Sequence, residues 1–138
     1  MVRSSESFTI RNELTAVSKA QASLQRFAQQ SRLPEGVRRQ VSTVLDELLN
    51  NVISYGFADG RKGDIEVSLE VFDDSTLLRI IDDGDPFNPF ARLPPDTSAP
   101  LAQRQVGGLG IHLVRTMMDE YSYKRTAGKN VVTLVKKL

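Results

Sequence analysis

The sequence predicts an α+β fold: a two-layer α/β sandwich in which helices cover one face of a mixed, mainly antiparallel sheet. Two observations lead to this fold class. The apolar pattern changes between helical spacing and strict alternation, in the order β-α-α-β-β-irregular-α-β-β. The two central strands are separated by a short polar turn, which favours an antiparallel hairpin. With 138 residues, of which 40% are hydrophobic, we expect a single domain over residues 1–138.

The first half of the chain predicts one strand and two helices. Residues 7–12 alternate weakly and predict the first strand, and Asn12 is placed to cap the helix that follows. Residues 14–28 carry an apolar stripe with helical spacing. Pro34 is suited to the first turn of a second helix, which we expect to end near Gly56.

The second half predicts four strands in two pairs. Residues 65–71 alternate apolar and polar side chains, residues 73–75 form a turn, and residues 77–81 form a more buried strand. Residues 121–126 and 131–135 predict the two closing strands. The chain therefore supplies five strands in all.

Between these two pairs lies an irregular stretch over about residues 85–106, where five of the six prolines fall. A long segment without periodicity inside a compact domain is usually a lid, a binding loop or disordered. It ends at a cluster of glycines that opens a helix with an apolar face. The sequence pattern alone leaves these three alternatives open.

Composition excludes several classes of function. The formal net charge of +1 gives no argument for a nucleic-acid or membrane-surface partner. The chain has no cysteine and a single histidine, His112, which excludes disulfides, cysteine nucleophiles and metal sites built from two histidines. The N-terminus lacks the apolar core of a signal peptide, and no apolar run is long enough to cross a membrane. We therefore expect a cytoplasmic protein.

The polar face of the second predicted helix has an unusual composition. No lysine or arginine occurs from residue 40 to residue 58, and Glu47 and Asn51 project from one face, four residues apart. Asparagine suits a helix interior poorly, because its amide competes for backbone hydrogen bonds. A carboxylate and an amide oxygen at this spacing suit a hard metal ion beside a reacting group. The alternative is an ordinary solvated face.

Two further polar motifs stand at the ends of predicted elements. Asp82 follows a buried strand, where its carboxylate can accept a hydrogen bond from an amine, and Gly84 allows close approach of a flat ligand. Gly107, Gly108 and Gly110 open the third helix, where backbone amides can hold phosphate oxygens. Each motif has a simpler alternative, which is an acidic turn for the first and tight helix packing for the second.

Taken together and in this order, the three motifs resemble those of the gyrase, heat-shock chaperone, histidine kinase and MutL family of ATP-binding domains. Within that family the chain is similar to the bacterial anti-sigma factor serine kinases. The resemblance extends from the first helix to the last strand, through the segments DELLNNVISYGF, IDDGDPFNP, GGLGIHLVRTMMDE and NVVTLVKKL. It implies a histidine-kinase-like ATPase fold that binds ATP and Mg²⁺. It also implies that the proline-rich stretch of about residues 85–106 is a lid that closes over the nucleotide.

The resemblance also implies a role for each candidate residue. Glu47 corresponds to the family's general base, and Asn51 corresponds to its Mg²⁺ ligand. Asp82, with Gly84 two residues later, corresponds to the aspartate that recognises the adenine amino group. The lid hinge and the phosphate contacts correspond to three glycines: Gly107, Gly108 and Gly110.

Some positions depart from the family pattern. Pro86 replaces the second glycine of the first glycine motif, and Tyr55 stands where many relatives have histidine. No basic residue directly precedes the second glycine motif, which leaves Arg104 as a weak candidate to neutralise the phosphates. Thr133 is a candidate to approach the adenine through water, although threonine is also a common strand residue.

The resemblance implies an ATP-dependent serine protein kinase that is also an anti-sigma regulatory factor. It would phosphorylate an anti-anti-sigma protein with a STAS domain, sequester a sigma factor in another state, and form a homodimer. Nucleic acid and membranes are not expected partners. The alternative is a nucleotide-dependent anti-sigma or partner-binding module that does not phosphorylate its partner.

Overall fold

The structure is a computed structural model that describes residues 1–57, 59–91 and 108–138. Its elements follow the predicted order: β1 (Val2–Arg11), α1 (Val17–Gln30), α2 (Glu35–Tyr55), β2 (Asp64–Phe72), β3 (Ser75–Asp82), α3 (Gly108–Met117), β4 (Glu120–Thr126) and β5 (Lys129–Lys137). Short 3₁₀ turns lie at Leu14–Ala16 and Pro89–Ala91.

The five strands form one sheet in the order β1-β2-β3-β5-β4. The predicted hairpin between β2 and β3 is present, and β4 and β5 form a second hairpin. All four pairings between these described strands are antiparallel. The α+β class and the mainly antiparallel sheet are confirmed, and the described strands contain none of the parallel pairing that a mixed sheet would have.

The hydrophobic core lies between one face of the sheet and the helices. Along β2 the side chains of Ile65, Val67 and Leu69 are buried and alternate with less buried polar residues. Leu24 of α1 and Leu45 of α2 are completely buried against this face. Burying a leucine side chain contributes roughly 1.5–3 kcal/mol, so this packing fixes the helices on the sheet. None of the helices in the described part of the chain is long and apolar enough to cross a membrane.

The first strand is longer than predicted, because pairing with β2 extends it. β1 begins at Val2 rather than at residue 7, and it pairs with β2 along its length even where its side chains are exposed. Asn12 does not cap a helix, which corrects the prediction. Its amide donates to the backbone oxygen of Arg61 over 2.9 Å and its Oδ1 accepts from the Gly63 amide over 3.0 Å. Asn12 therefore ties the end of β1 to the segment before β2.

The beginning of the predicted lid is attached to the rest of the domain. The backbone amide of Asp85 donates to the Gly56 oxygen over 2.8 Å. Arg115 of α3 donates to the Phe90 oxygen, and the Phe90 and Tyr121 rings lie 4.8 Å apart. Residues 85–91 are thus anchored at several points, and residues 92–106 of the predicted lid lie outside the described residues.

The C-terminal end of α3 is held by a lysine from the last strand. Lys136 has a side chain only 17% exposed, and its Nζ donates to the Met117 oxygen over 2.8 Å. Asp119 lies 3.8 Å from the same ammonium group. A cation at this end of a helix complements both the free carbonyl groups and the helix dipole. Lys136 therefore helps to fix α3 on the sheet.

We expect Lys136→Met to lower the free energy of unfolding by about 1 kcal/mol, because it removes a charged donor from a helix end while it keeps the apolar stem. Chemical denaturation followed by circular dichroism measures the change. The control is Lys137→Met at the neighbouring exposed position, which we expect to leave stability within about 0.5 kcal/mol. Equal losses in the two variants would contradict the role given to Lys136.

Candidate functional site

The polar face of α2 places Glu47 and Asn51 one helical turn apart. Asn51 is only 3% exposed, and its Nδ2 donates to the Glu47 backbone oxygen over 2.7 Å. This bond fixes the amide with its Oδ1 directed away from the helix backbone. The Oδ1 atom is buried and has no hydrogen-bond partner among the described residues.

An unpartnered buried oxygen is costly, at about 1–3 kcal/mol. An amide oxygen is a suitable ligand for Mg²⁺, which binds few protein groups and takes other ligands from water and phosphates. The described residues contain no group of three or more histidine, cysteine or acidic side chains that could hold a metal on its own. The donor set at Asn51 therefore fits a metal ion that shares its coordination with a phosphate ligand.

The Glu47 carboxylate packs against the first turn of α3. A Cβ atom at Gly110 would overlap this carboxylate, so a larger residue there would displace the Glu47 side chain from its position. Partial burial raises the pKa of Glu47 above its usual range, and the negative charge of Asp46 raises this pKa further. Two candidate residues from different motifs, Glu47 and Gly110, are thus in contact. Gly108 begins the backbone of α3, and Gly107 lies outside the described residues.

Asp82 ends β3 and is only 3% exposed. Its Oδ1 accepts hydrogen bonds from the Gly84 amide and from the Asn130 Nδ2, each over 2.9 Å. Burial raises the pKa of Asp82, and these two hydrogen bonds oppose that increase by stabilising the ionised form. Among the described residues no donor reaches its second oxygen, Oδ2, so that oxygen is the acceptor left for a ligand.

Gly84 meets the C-terminal end of α2. A Cβ atom at this position would overlap the backbone oxygen of Gly56. The next residue, Asp85, donates its amide to that same oxygen over 2.8 Å. From the sequence we expected Gly84 to allow close approach of a ligand. The structure gives a second reason for glycine, because here the loop after β3 closely approaches the backbone at the end of α2.

The candidate groups are therefore arranged along the second half of α2. Glu47 contacts the first turn of α3, Asn51 lies one turn further along α2, and the loop after β3 contacts Gly56, five residues beyond Asn51. At a rise of 1.5 Å per residue, this separation along the helix is about 7.5 Å. A ligand that reached from Asp82 to Glu47 would be elongated.

The sequence also suggested Thr133 as a neighbour of the adenine and Arg104 as a neighbour of the phosphates. Thr133 accepts a hydrogen bond from Arg79 over 3.4 Å. Because side chains alternate along a strand, both lie on the opposite face of the sheet from the buried Val132 and Leu134. The prediction that Thr133 approaches the base is therefore wrong. Arg104 lies outside the described residues.

Sequence reasoning missed Asn130. This residue is only 2% exposed and stands directly opposite Asp82 in the pairing of β3 with β5. Asparagine is rare in strands, and here it precedes the apolar run of residues 131–132. That mismatch between residue and element was the available signal.

The described site combines a buried carboxylate at the end of an interior strand, a buried amide oxygen and a helix N-terminus, which together define a nucleotide-binding α+β domain. Residues 10–136 match the family described as the histidine kinase-like ATPase domain. The match covers nearly the whole chain. The protein belongs to this family.

Two curated relatives have informative names. The chain is 32% identical over 133 residues to the serine/threonine-protein kinase BtrW of Bordetella bronchiseptica, which covers 95% of this chain and 94% of the relative. It is 32% identical over 91 residues to the serine-protein kinase RsbW of Bacillus velezensis, which covers 63% of this chain and 57% of the relative.

A solved structure shows the same fold. The histidine kinase domain of a blue-light activated histidine kinase from Erythrobacter litoralis matches with a TM-score of 0.55 and 13% identity. The match covers 91% of this chain, which spans 60% of that chain. The predicted histidine-kinase-like ATPase fold is thereby confirmed.

We expect Gly84→Ala to lower the free energy of unfolding by about 1–3 kcal/mol, because the added methyl group meets the fixed backbone of Gly56. Thermal and denaturant unfolding measure this loss. The matched control is Gly36→Ala in the first turn of α2, where a Cβ meets no atom within 4 Å. Alanine favours a helix over glycine, so this control should be neutral or slightly stabilising. A stable Gly84→Ala protein would show that the contact is not tight.

Proposed function

We propose that this chain is a cytoplasmic, ATP-dependent serine protein kinase that acts as a single domain. Its substrate is a serine of an anti-anti-sigma protein with a STAS domain, and its second partner is a sigma factor. The observation that carries the proposal is the unpartnered, buried Oδ1 of Asn51 one turn from the Glu47 carboxylate. The names of the two relatives, both protein kinases for serine, support the reaction class.

Each end of the elongated site has a proposed ligand. Asp82 would accept a hydrogen bond from the exocyclic amino group of adenine, and the loop at Gly84 would lie beside the base. The phosphates would lie at the N-terminal end of α3, where Gly108 and Gly110 have backbone amides and the helix dipole favours negative charge. Gly107, the preceding residue in the sequence, would add its amide to this site. Asn51 would provide an oxygen ligand to Mg²⁺.

The proposed reaction transfers the γ-phosphoryl group of ATP, and Mg²⁺ supplies charge neutralisation when bound. The serine Oγ forms a bond to the γ-phosphorus as the bond from that phosphorus to the β,γ-bridging oxygen breaks. ADP leaves with the electron pair of that bond. Glu47 accepts the hydroxyl proton, because it is the described carboxylate beside the first turn of α3.

A direct test incubates the protein with ATP, Mg²⁺ and candidate STAS-domain proteins and measures the partner by mass spectrometry. We expect one added phosphate on a serine. Glu47→Gln should slow this transfer by about 100-fold or more, because a positioned base contributes about 10²–10⁴-fold. ATP affinity, measured by calorimetry, should change little. The control is Glu35→Gln at the start of the same helix, which should transfer normally.

The alternative, a binding module that does not turn over, predicts a different result. Wild type and Glu47→Gln would then form the same ATP-dependent complex with a partner, seen by size-exclusion chromatography, and neither would phosphorylate it. Absence of ATP binding by the wild type would contradict both functions. The same chromatography reports whether the chain forms the proposed homodimer.

The pH at which the kinase rate falls on acidification, the acid limb of its pH profile, should depend on the pKa of Glu47. Because burial and Asp46 both raise the pKa of Glu47, the rate should fall on acidification at a pH above the ordinary glutamate range. Asp46→Asn removes one of these two causes, so it should lower the pKa of Glu47 and move the acid limb of kcat/KM to lower pH. A shift to higher pH, or an unchanged limb in both Asp46→Asn and Glu47→Asp, would contradict Glu47 as the base.

A further inference from the structure

Asn130 makes four hydrogen bonds with its side chain although it is almost completely buried. Its Nδ2 donates to the Asp82 Oδ1 over 2.9 Å and to the Asp85 backbone oxygen over 2.8 Å. Its Oδ1 accepts from the Tyr123 hydroxyl over 2.6 Å and from the Phe87 amide over 3.2 Å. Two donors and two acceptor sites are the full capacity of an amide side chain.

The surroundings fix which way the amide points. A backbone N–H can only donate, so the atom beside the Phe87 amide is the oxygen Oδ1. A backbone carbonyl can only accept, so the atom beside the Asp85 oxygen is Nδ2. The donor that faces Asp82 is therefore determined by the loop of residues 85–87 and does not depend on how Asp82 itself is protonated.

These bonds join three parts of the domain. Asn130 is the second residue of β5, Tyr123 belongs to β4, and Asp82 ends β3. The loop that follows Asp82 is held through both of its contacts to Asn130, at residue 85 and at residue 87. A displacement of this loop would therefore release the donor that holds Asp82.

We propose that Asn130 is a positioning residue for base recognition: it holds Oδ1 of Asp82 so that Oδ2 remains the acceptor for the amino group of adenine, and it couples this carboxylate to the loop of residues 85–87. This inference rests on the proposed ATP-binding function. It assigns Asn130 a role in selecting adenine over guanine, because guanine presents a carbonyl oxygen where adenine presents the amino group.

The variant Asn130→Asp tests this role through the pH dependence of ATP affinity, whose sign would not change if Asn130 only stabilised the fold. It places a second carboxyl group of nearly the same shape against Asp82. With one proton shared by the pair, the carboxyl at position 130 can still donate to Asp82, but with both ionised the two groups repel each other.

Other charged groups near this pair affect the ionisation of Asp82 in opposite directions. The negative charge of Asp83 disfavours ionisation of Asp82, and the positive charge of Arg125 favours it. The Asp85 carboxylate pairs with Arg61 over 3.2 Å, and the Tyr123 hydroxyl faces position 130 directly. These groups are the same in wild type and variant, so the added carboxyl group is the only new charge.

The pH dependence of ATP binding should therefore have opposite signs in the two proteins. The wild type should lose ATP affinity on acidification, when Asp82 becomes protonated and stops accepting from the amino group. Asn130→Asp should instead lose ATP affinity as the pH rises and the pair gives up its shared proton. Calorimetric titration with ATP and with GTP over a range of pH values measures both slopes.

Asn130→Ala tests selectivity at a single pH. We expect its ATP affinity to fall about tenfold with little change in its weaker GTP affinity, so that the ratio of the two falls. Thr133→Ala on the other face of the same strand is the control and should keep the wild-type ratio. If Asn130→Ala does not fold, Tyr123→Phe, which removes one bond to the amide, should lower the ratio by a smaller factor.

The results distinguish a failure of the proposed ATP-binding function from a failure of the role of Asn130. A wild type that binds neither nucleotide overturns the proposed function, and the role of Asn130 with it. A wild type that prefers ATP, with variants that keep its preference and its pH dependence, overturns the role of Asn130 alone. Reversed pH dependence in Asn130→Asp together with a reduced ratio in Asn130→Ala supports it.

Discussion

Close packing along the second half of α2 brings the candidate site together. The helix meets α3 where Gly110 leaves room for the Glu47 carboxylate, and it meets the loop after β3 where Gly84 leaves room for the Gly56 oxygen. A Cβ atom at Gly84 would meet fixed backbone, and one at Gly110 would displace the Glu47 carboxylate. The catalytic and base-binding groups that we propose are therefore placed by two backbone approaches to one helix, and the hydrophobic stripe of that helix holds it on the sheet.

Much of this arrangement could be predicted from the sequence, because it depends on periodicity and local chemistry. Alternation gave the strand at residues 65–71, and the cation-free helix face indicated Glu47 and Asn51. The place of Asp82 after a strand predicted to be buried indicated it as a candidate acceptor for a ligand amine. These features are local: a short window of residues determines which face each side chain occupies.

Features that depend on contacts between distant segments could not be predicted in this way. β1 is extended by its partner strand, and Asn12 bonds to the segment before β2 instead of capping a helix. Thr133 pairs with Arg79 on the sheet face opposite the core, and this pairing between β3 and β5 cannot be deduced from the sequence. Asn130 acquires one partner, Tyr123, across the β4–β5 hairpin, but its other partners lie on β3 and on the loop of residues 85–87, far from it in the chain.

The sheet order has a consequence for how the protein folds. β2 with β3 and β4 with β5 are local hairpins, whereas the pairing of Asp82 with Asn130 joins residues 48 positions apart. Closing such a long stretch of chain costs entropy before its contacts form, so the local hairpins have the kinetic advantage. The base-binding end of the site therefore lies on the seam between two hairpins. It can be complete only in molecules in which that seam has closed, so nucleotide binding would distinguish fully assembled sheets from partly folded chains.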